Sequence, residues 1–328
     1  MLYNRARAIG PRLECESRMR CQCITAFLLL LLTAVVQALD FTYTNTNGTI
    51  TITGYTGPGG NVTIPSTIDG LPVTSVGDYA FYVSTSIAKV TIPNGVTNIG
   101  DNAFNGSSLA GVTLGNNVTT IGSYSFGFCY GLTNVILPDS VTCIKDGAGW
   151  VGGAFGFCES LTNVTFGKGL TNIGVYAFVE CHSLTKVVIP KSVAQIGSYA
   201  FQACAVTNIY FQGNAPSLGQ DAFLSDTNTT VFYLPAATGW TSTFGGLRTV
   251  LWNPQVQTND ASFGVRQNHL GFNITGTPDI PIVVEASTSL AAQSWVPLQS
   301  CTLTNGLIYF SDPQWTNYPG RFYRIRSP

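Results

Sequence analysis

The chain has 328 residues, 45% of them hydrophobic and only 9% charged, with a formal net charge of −1. Soluble domains carry about a quarter charged residues, so here Thr, Asn, Ser and Gly must supply the surface. From residue 39 onward ten basic residues face fourteen acidic ones, a balance of about −4 that does not suit a polyanion and argues against nucleic acid as a partner.

Residues 1–38 read as an export signal. An apolar run from Ile24 to Val36, with five leucines at Leu28–Leu32, follows Arg18 and Arg20 and precedes the small-residue pattern Val36-Gln-Ala38 of a cleavage site. The run is short of the roughly twenty residues of a membrane span, so a transmembrane helix in the mature chain is not expected. An uncleaved anchor is the alternative, and Met19 is a candidate start of translation. Residues 39–60 alternate polar and apolar on both sides of Asn47-Gly48, the signature of a β-hairpin, which is expected to cap the amino-terminal edge of a repeat region.

Residues 61–252 repeat. An Ala-Phe or Ser-Phe pair recurs at Phe81, Phe104, Phe126, Phe155, Phe178, Phe201 and Phe223, with spacings of 23, 22, 29, 23, 23 and 22 residues. Such a period belongs to solenoids, in which each unit shares its core with its neighbours. Alternation around Val135 and Leu137 predicts one short strand per rung, and a Pro or Gly behind most strands turns the chain. The segment leading to each Phe, such as Gly-Asp-Tyr-Ala-Phe (77–81), is read as a turn of helix. The expected class is therefore an α/β repeat, with one parallel strand and one helical turn in each rung of about 23 residues.

The run 183–204, Ser-Leu-Thr-Lys-Val-Val-Ile-Pro-Lys-Ser-Val-Ala-Gln-Ile-Gly-Ser-Tyr-Ala-Phe-Gln-Ala-Cys, resembles the BspA-type leucine-rich repeat of bacterial surface proteins, and the likeness spans residues 61–236. The resemblance implies a curved leucine-rich-repeat solenoid, usually exported, that serves adhesion or protein binding and has no catalytic residues of its own.

Residues 253–263 lack periodicity and read as a linker. Residues 264–328 give five short apolar segments between Gly, Pro and Asn turns, a small all-β module. Its ending, Arg-Phe-Tyr-Arg (321–324), resembles a carboxy-terminal segment of exported bacterial proteins, which implies attachment or sorting; a terminal domain with no such role is the alternative.

Cys129, Cys158, Cys181 and Cys204 each stand three residues after a repeat Phe. Zinc sites use close Cys pairs, which the repeats lack, so these cysteines are expected as small buried packing residues. A disulfide between Cys158 and Cys181, or Cys181 and Cys204, stays open on Cα spacing but is opposed by parallel Cβ directions. The two histidines, His182 and His269, sit in no catalytic motif. No metal, no cofactor and no enzymatic activity are expected.

Two surfaces remain as binding candidates. The insertion 145–153 behind the 29-residue spacing is expected to bulge out and carry Trp150 with it; a Trp150 folded back onto the neighbouring rung is the alternative. On the strand face, Thr63, Thr91, Thr113, Ile136, Thr165, Val188, Tyr210 and Tyr233 form one outward column, beside a polar column with Asn134, Lys186 and Asn208. Aromatic and polar groups together resemble the makeup of protein interfaces; shielding of the terminal rungs explains the tyrosines equally well. The expected function is that of a secreted or surface-displayed protein that binds a protein or other surface macromolecule. A spacer with no specific ligand is the second reading and a carbohydrate-binding protein the third.

Overall fold

The computed structural model describes residues 40–149, 152–225, 228–291 and 294–327. The export-signal segment and Trp150 lie outside the described residues.

The repeat region is a solenoid held by three ladders. The main ladder is built from the strands Gly60–Thr63, Ile87–Thr91, Gly111–Thr113, Asn134–Ile136, Asn163–Thr165, Lys186–Ile189, Asn208–Phe211, Thr230–Tyr233 and Leu247–Leu251, grouped by regular hydrogen bonding into runs of three, two and four parallel strands. The last of these continues the ladder past the point where the sequence period fades. A second ladder pairs two-residue strands in register, Ile99 with Ile121, Ile144, Ile173, Ile196 and Leu218. It runs back through Leu71–Val76 to the antiparallel hairpin of Phe41–Thr46 and Thr49–Tyr55, whose turn is Asn47-Gly48.

The third ladder corrects the sequence expectation of a helical turn: the described residues contain no α-helix, and the rungs are all β and turn. Residues two before and two after most repeat phenylalanines, such as Tyr176 (φ 56°) and Glu180 (φ 58°), have left-handed backbone. A helix needs consecutive right-handed residues; here each left-handed residue flips a peptide. Alternate N–H groups, those of Tyr176, Phe178 and Glu180, therefore donate to Ser198, Ala200 and Gln202 on the next rung, while those of Ala177 and Val179 close turns onto Gly174 and Tyr176. Had the segment been helical, its N–H groups would be spent within the rung, and the ladder to the next rung would be lost.

Glycine just before this strip has a steric cause. A Cβ on Gly122 would lie 2.5 Å from the Gly100 backbone, and one on Gly197 would lie 2.5 Å from the Val175 nitrogen. Neighbouring backbones can approach this closely only where the side chain is absent.

The core is one continuous stack. Phe81, Phe104, Phe126, Phe155, Phe178, Phe201 and Phe223 are buried, with successive ring centroids 4.7 to 5.8 Å apart and planes within 12° of parallel. Phe126 and Phe155, separated by the six-residue insertion, still lie 5.3 Å apart. The extra residues are therefore held outside the stack, where Gly147 donates to Val175 and the Tyr124 hydroxyl donates to the Ala148 carbonyl.

Beyond Trp252 the chain forms two small antiparallel sheets. One joins Gln255–Val256, Gly264–Arg266, His269–Thr275 and Leu307–Asp312; the other joins Pro281–Ser287, Val296–Thr302 and Phe322–Arg326. Residues 253–263 are thus not all linker, since Gln255 and Val256 pair with Thr275 and Ile274. Phe272, Ile274, Ile282, Val284, Leu303 and Phe310 of this module share one buried cluster with Tyr210, Phe232 and Val250 of the solenoid. The Trp252 indole N–H donates to the Pro281 carbonyl, 3.0 Å away.

Candidate functional site

A main-ladder strand points alternate side chains inward and outward, and the observed register defines the outward face. Thr63, Thr91 and Thr113 are in line, Ile136 pairs with Thr165, and Val188 is followed by Tyr210, Phe232 and Val250. The column expected from the sequence slips by one residue at its end. Tyr233 stands opposite Phe211, not Tyr210, because Leu234 inserts one residue between the strand and Pro235. Its ring stacks on Trp240, 5.2 Å away.

The C-terminal module divides this face. Tyr210 retains 4% exposure and stacks on Phe232 at 4.8 Å beneath the module, and Val188 packs at the edge of the same cluster. Covered in this way, Tyr210 and Val188 are not part of the open face. Burial also pushes the Tyr210 hydroxyl well above its ordinary pKa. At the seam, Tyr210, Tyr233, Trp252 and Arg326 line a crevice of about 210 Å³. Lys186, on the strand beside Asn208, is half-buried; burial first, and the nearby Arg326 charge second, lower its ammonium pKa. The Asn208 amide donates to the Thr207 hydroxyl.

The rungs before the module keep the face open. Ile136 is 59% exposed, and Thr63, Thr91, Thr113 and Thr165 are exposed or nearly so, as are Asn61, Lys89, Asn134 and Asn163. The Asn163 amide donates to Asn134 Oδ1 at 2.5 Å, so these two side chains form a fixed pair. Gly111 leaves a notch in the polar column. A groove of about 350 Å³ opens there, between Asn61, Thr63, Lys89, Thr113 and Asn134. The result is a flat platform of β-branched and amide side chains with one exposed aliphatic group and one lysine beside the notch. Such a surface offers shape and hydrogen bonds to a partner.

The turn strip presents a second exposed row that the sequence reading does not single out. Tyr79, Tyr82 and Tyr130 are more than half exposed, and Tyr176 and Tyr199 stack at 5.0 Å. A signal for it exists: Tyr stands two residues before the repeat Phe in four rungs.

The ladder cysteines are free thiols, all four buried. Among the described residues no cluster of His, Cys, Asp and Glu could hold a metal ion, and no helix is long and apolar enough to cross a membrane. His182 pairs with Glu180 at 2.8 Å on the surface.

A family model described as the BspA type leucine-rich repeat region matches residues 60–148 and 152–243 with 6 copies. Among solved structures, the chain is similar to a leucine-rich-repeat protein of T. pallidum at 29% identity, covering 64% of this chain and 89% of that one with a TM-score of 0.43. It is similar to a leucine-rich cell surface protein of Faecalibacterium prausnitzii A2-165 at 25% identity, covering 58% and 74% with a TM-score of 0.34. A leucine-rich-repeat protein of Bacteroides ovatus ATCC 8483 matches at 21% identity, covering 65% and 75% with a TM-score of 0.37. No curated protein matches. With more than half of its residues matched by six copies of one repeat, the chain belongs to the BspA-type leucine-rich-repeat family.

Proposed function

We propose that this chain is exported, displayed at the cell surface and non-catalytic, and that it binds a protein through the open part of its main-ladder face. The observation that carries this reading is the division of that face. The chain's own module covers the aromatic end from Val188 to Val250, while Ile136 stays 59% exposed on a regular Thr and Asn platform beside the Gly111 groove. The exposed aliphatic side chain supplies apolar area to bury against a partner, and the rigid amide and hydroxyl groups around it supply hydrogen bonds. Export is supported by the apolar run Ile24 to Val36 behind Arg18 and Arg20, and surface display by the BspA-type repeat that fills more than half of the chain.

The test is capture of surface proteins by the full chain and by the Ile136→Asp and Lys89→Glu variants, with cell fractionation of the native protein. Partners retained by the wild type and lost by both variants support the reading. Equal capture by all three would leave the rungs as a spacer, and a cytoplasmic protein would remove the surface role.

A further inference from the structure

A second concavity, of about 730 Å³, opens on the C-terminal module, away from the main-ladder face; Ser262, Arg266, His269, Asn273, Tyr309 and Ser311 line it. The volume lies within the range that small ligands fill. Its floor is the pairing of His269–Thr275 with Leu307–Asp312, in which Asn273 faces Tyr309 and Gly271 faces Ser311. A Cβ on Gly271 would overlap the Tyr309 hydroxyl oxygen and lie 2.5 Å from its Cζ. The phenol therefore lies over the glycine, and it remains 44% exposed.

Around this ring the polar groups are held in place. The Asp260 carboxylate accepts hydrogen bonds from the Ser262 hydroxyl, from the Ser262 backbone N–H at 2.8 Å and from Asn273 Nδ2 at 3.1 Å. The Ser262 hydroxyl oxygen in turn accepts from the Asn273 N–H at 2.8 Å. The Ser262 bonds hold the Asp260 carboxyl below the usual carboxylate range, so this network keeps its charge at neutral pH. Arg266 makes no ion pair among the described residues, and His269 Nδ1 lies 3.4 Å from the Ser311 hydroxyl. Among the described residues no carboxylate supports His269, so the Ser311 and His269 pair lacks what a hydrolytic nucleophile needs.

We propose that this pocket binds a neutral saccharide, with the C–H face of one sugar ring over Tyr309 and its hydroxyls met by Asn273, Arg266, His269 and the two serines. The chemistry selects this class. A flat exposed ring favours a ligand with an apolar face, while mixed donors and acceptors suit hydroxyls, which both donate and accept. A compact anion fits less well, because the Asp260 carboxylate stands directly behind Ser262 and Asn273 and repels it.

The full chain is applied to an array of neutral, sialylated and sulfated oligosaccharides, and the strongest neutral hit is titrated calorimetrically against the wild type and the Tyr309→Ala, Tyr309→Phe, Ser311→Ala and Ile136→Asp variants. Tyr309→Ala is expected to weaken binding by about tenfold or more, the worth of one aromatic contact. Ser311→Ala is expected to weaken it measurably, whereas Tyr309→Phe and Ile136→Asp leave it intact. The ring is exposed, so Tyr309→Ala should melt with the wild type; if it does not, the Ser311→Ala result decides. No neutral hit, binding confined to acidic glycans, or a neutral hit indifferent to both pocket variants would overturn the assignment. Because the probes are glycans and the pocket is remote from Ile136, failure here is distinct from failure of the protein-binding reading.

Discussion

The thiol of Cys181 donates a hydrogen bond to the carbonyl oxygen of Phe155, 3.2 Å away on the preceding rung. Cys129, Cys158 and Cys204 repeat this contact with Phe104, Phe126 and Phe178 at 3.2, 3.1 and 3.0 Å. In the rung before the first of them, Ser107 holds the equivalent place, 3.4 Å from Cys129 Sγ. The cysteine column is thus a ladder of small buried donors that ties each turn strip to the one before it.

Reactivity follows from that burial. Desolvation pushes the Cys129 thiol to about 11 and those of Cys158 and Cys181 well above their ordinary value. The nucleophile in alkylation is the thiolate, so native protein at about pH 8 should be labelled at the half-exposed Cys143 and Cys301 long before the four ladder cysteines. Site-resolved mass spectrometry before and after denaturation checks this. Rapid native labelling of Cys158 would contradict the buried ladder.

The phenylalanine stack makes a sharper demand on stability. Phe155 is fully buried and touches rings on both sides, at 5.3 and 5.2 Å. Truncation to alanine leaves a cavity that two rigid neighbours cannot fill, so Phe155→Ala should cost about 3–5 kcal/mol. Because rungs interact mainly with their neighbours, the break falls in mid-solenoid, and denaturant unfolding should lose its single transition. A loss under about 1 kcal/mol with one sharp transition would show that the stack is not the core.

The period is legible in the sequence because rungs that stack ring on ring must repeat the same residue at Phe104, Phe126 and Phe155, and spacing records that directly. The turn strip reads as helix because the left-handed backbone at Tyr176 and Glu180 falls on residues with no sequence mark for it; glycine would have announced it. The one-residue slip at Tyr233 comes from taking Pro235 as a landmark where Leu234 lengthens the turn. The cover over Tyr210 comes from Phe272 and Ile282, more than sixty residues away in the sequence, a relationship that no local pattern encodes. Tyr309 over Gly271 is equally non-local, and spacing carries no trace of the pocket it floors.

Docking of the module rests on Phe232, which is 5% exposed between the Tyr210 ring and the module's apolar residues. A carboxylate there would lose its hydration within the apolar cluster and remove the ring that the cluster packs on. Phe232→Asp should therefore release the module and speed proteolytic cleavage within residues 253–263, read by mass spectrometry of limited digests. An unchanged cleavage rate would mean that the cluster does not hold the two parts together.

Acid should act first on the module through Glu285. This carboxylate is 3% exposed; it accepts from Arg326 Nε at 2.6 Å and from Arg324 Nε and Nη2 at 2.8 and 2.7 Å, while Arg324 also lies over the Trp295 ring at 4.3 Å. Burial alone would raise its pKa, but the two guanidiniums outweigh burial and hold it below the ordinary carboxylate value. A carboxyl whose folded pKa is depressed stabilises the fold fully above its unfolded pKa of about 4.3, and that contribution is lost as pH falls through the lower folded value. The module's melting midpoint should therefore stay level with respect to this group from about pH 7 to about 5 and drop below about 4. Glu285→Gln should lower stability at neutral pH by about 2 kcal/mol, the scale of hydrogen bonds to a charged group, and should flatten the acid limb. If the variant and the wild type instead lose stability in parallel in that acid range, the acid sensitivity belongs to another carboxylate, and the clamp of Arg324 and Arg326 serves only to position the final strand.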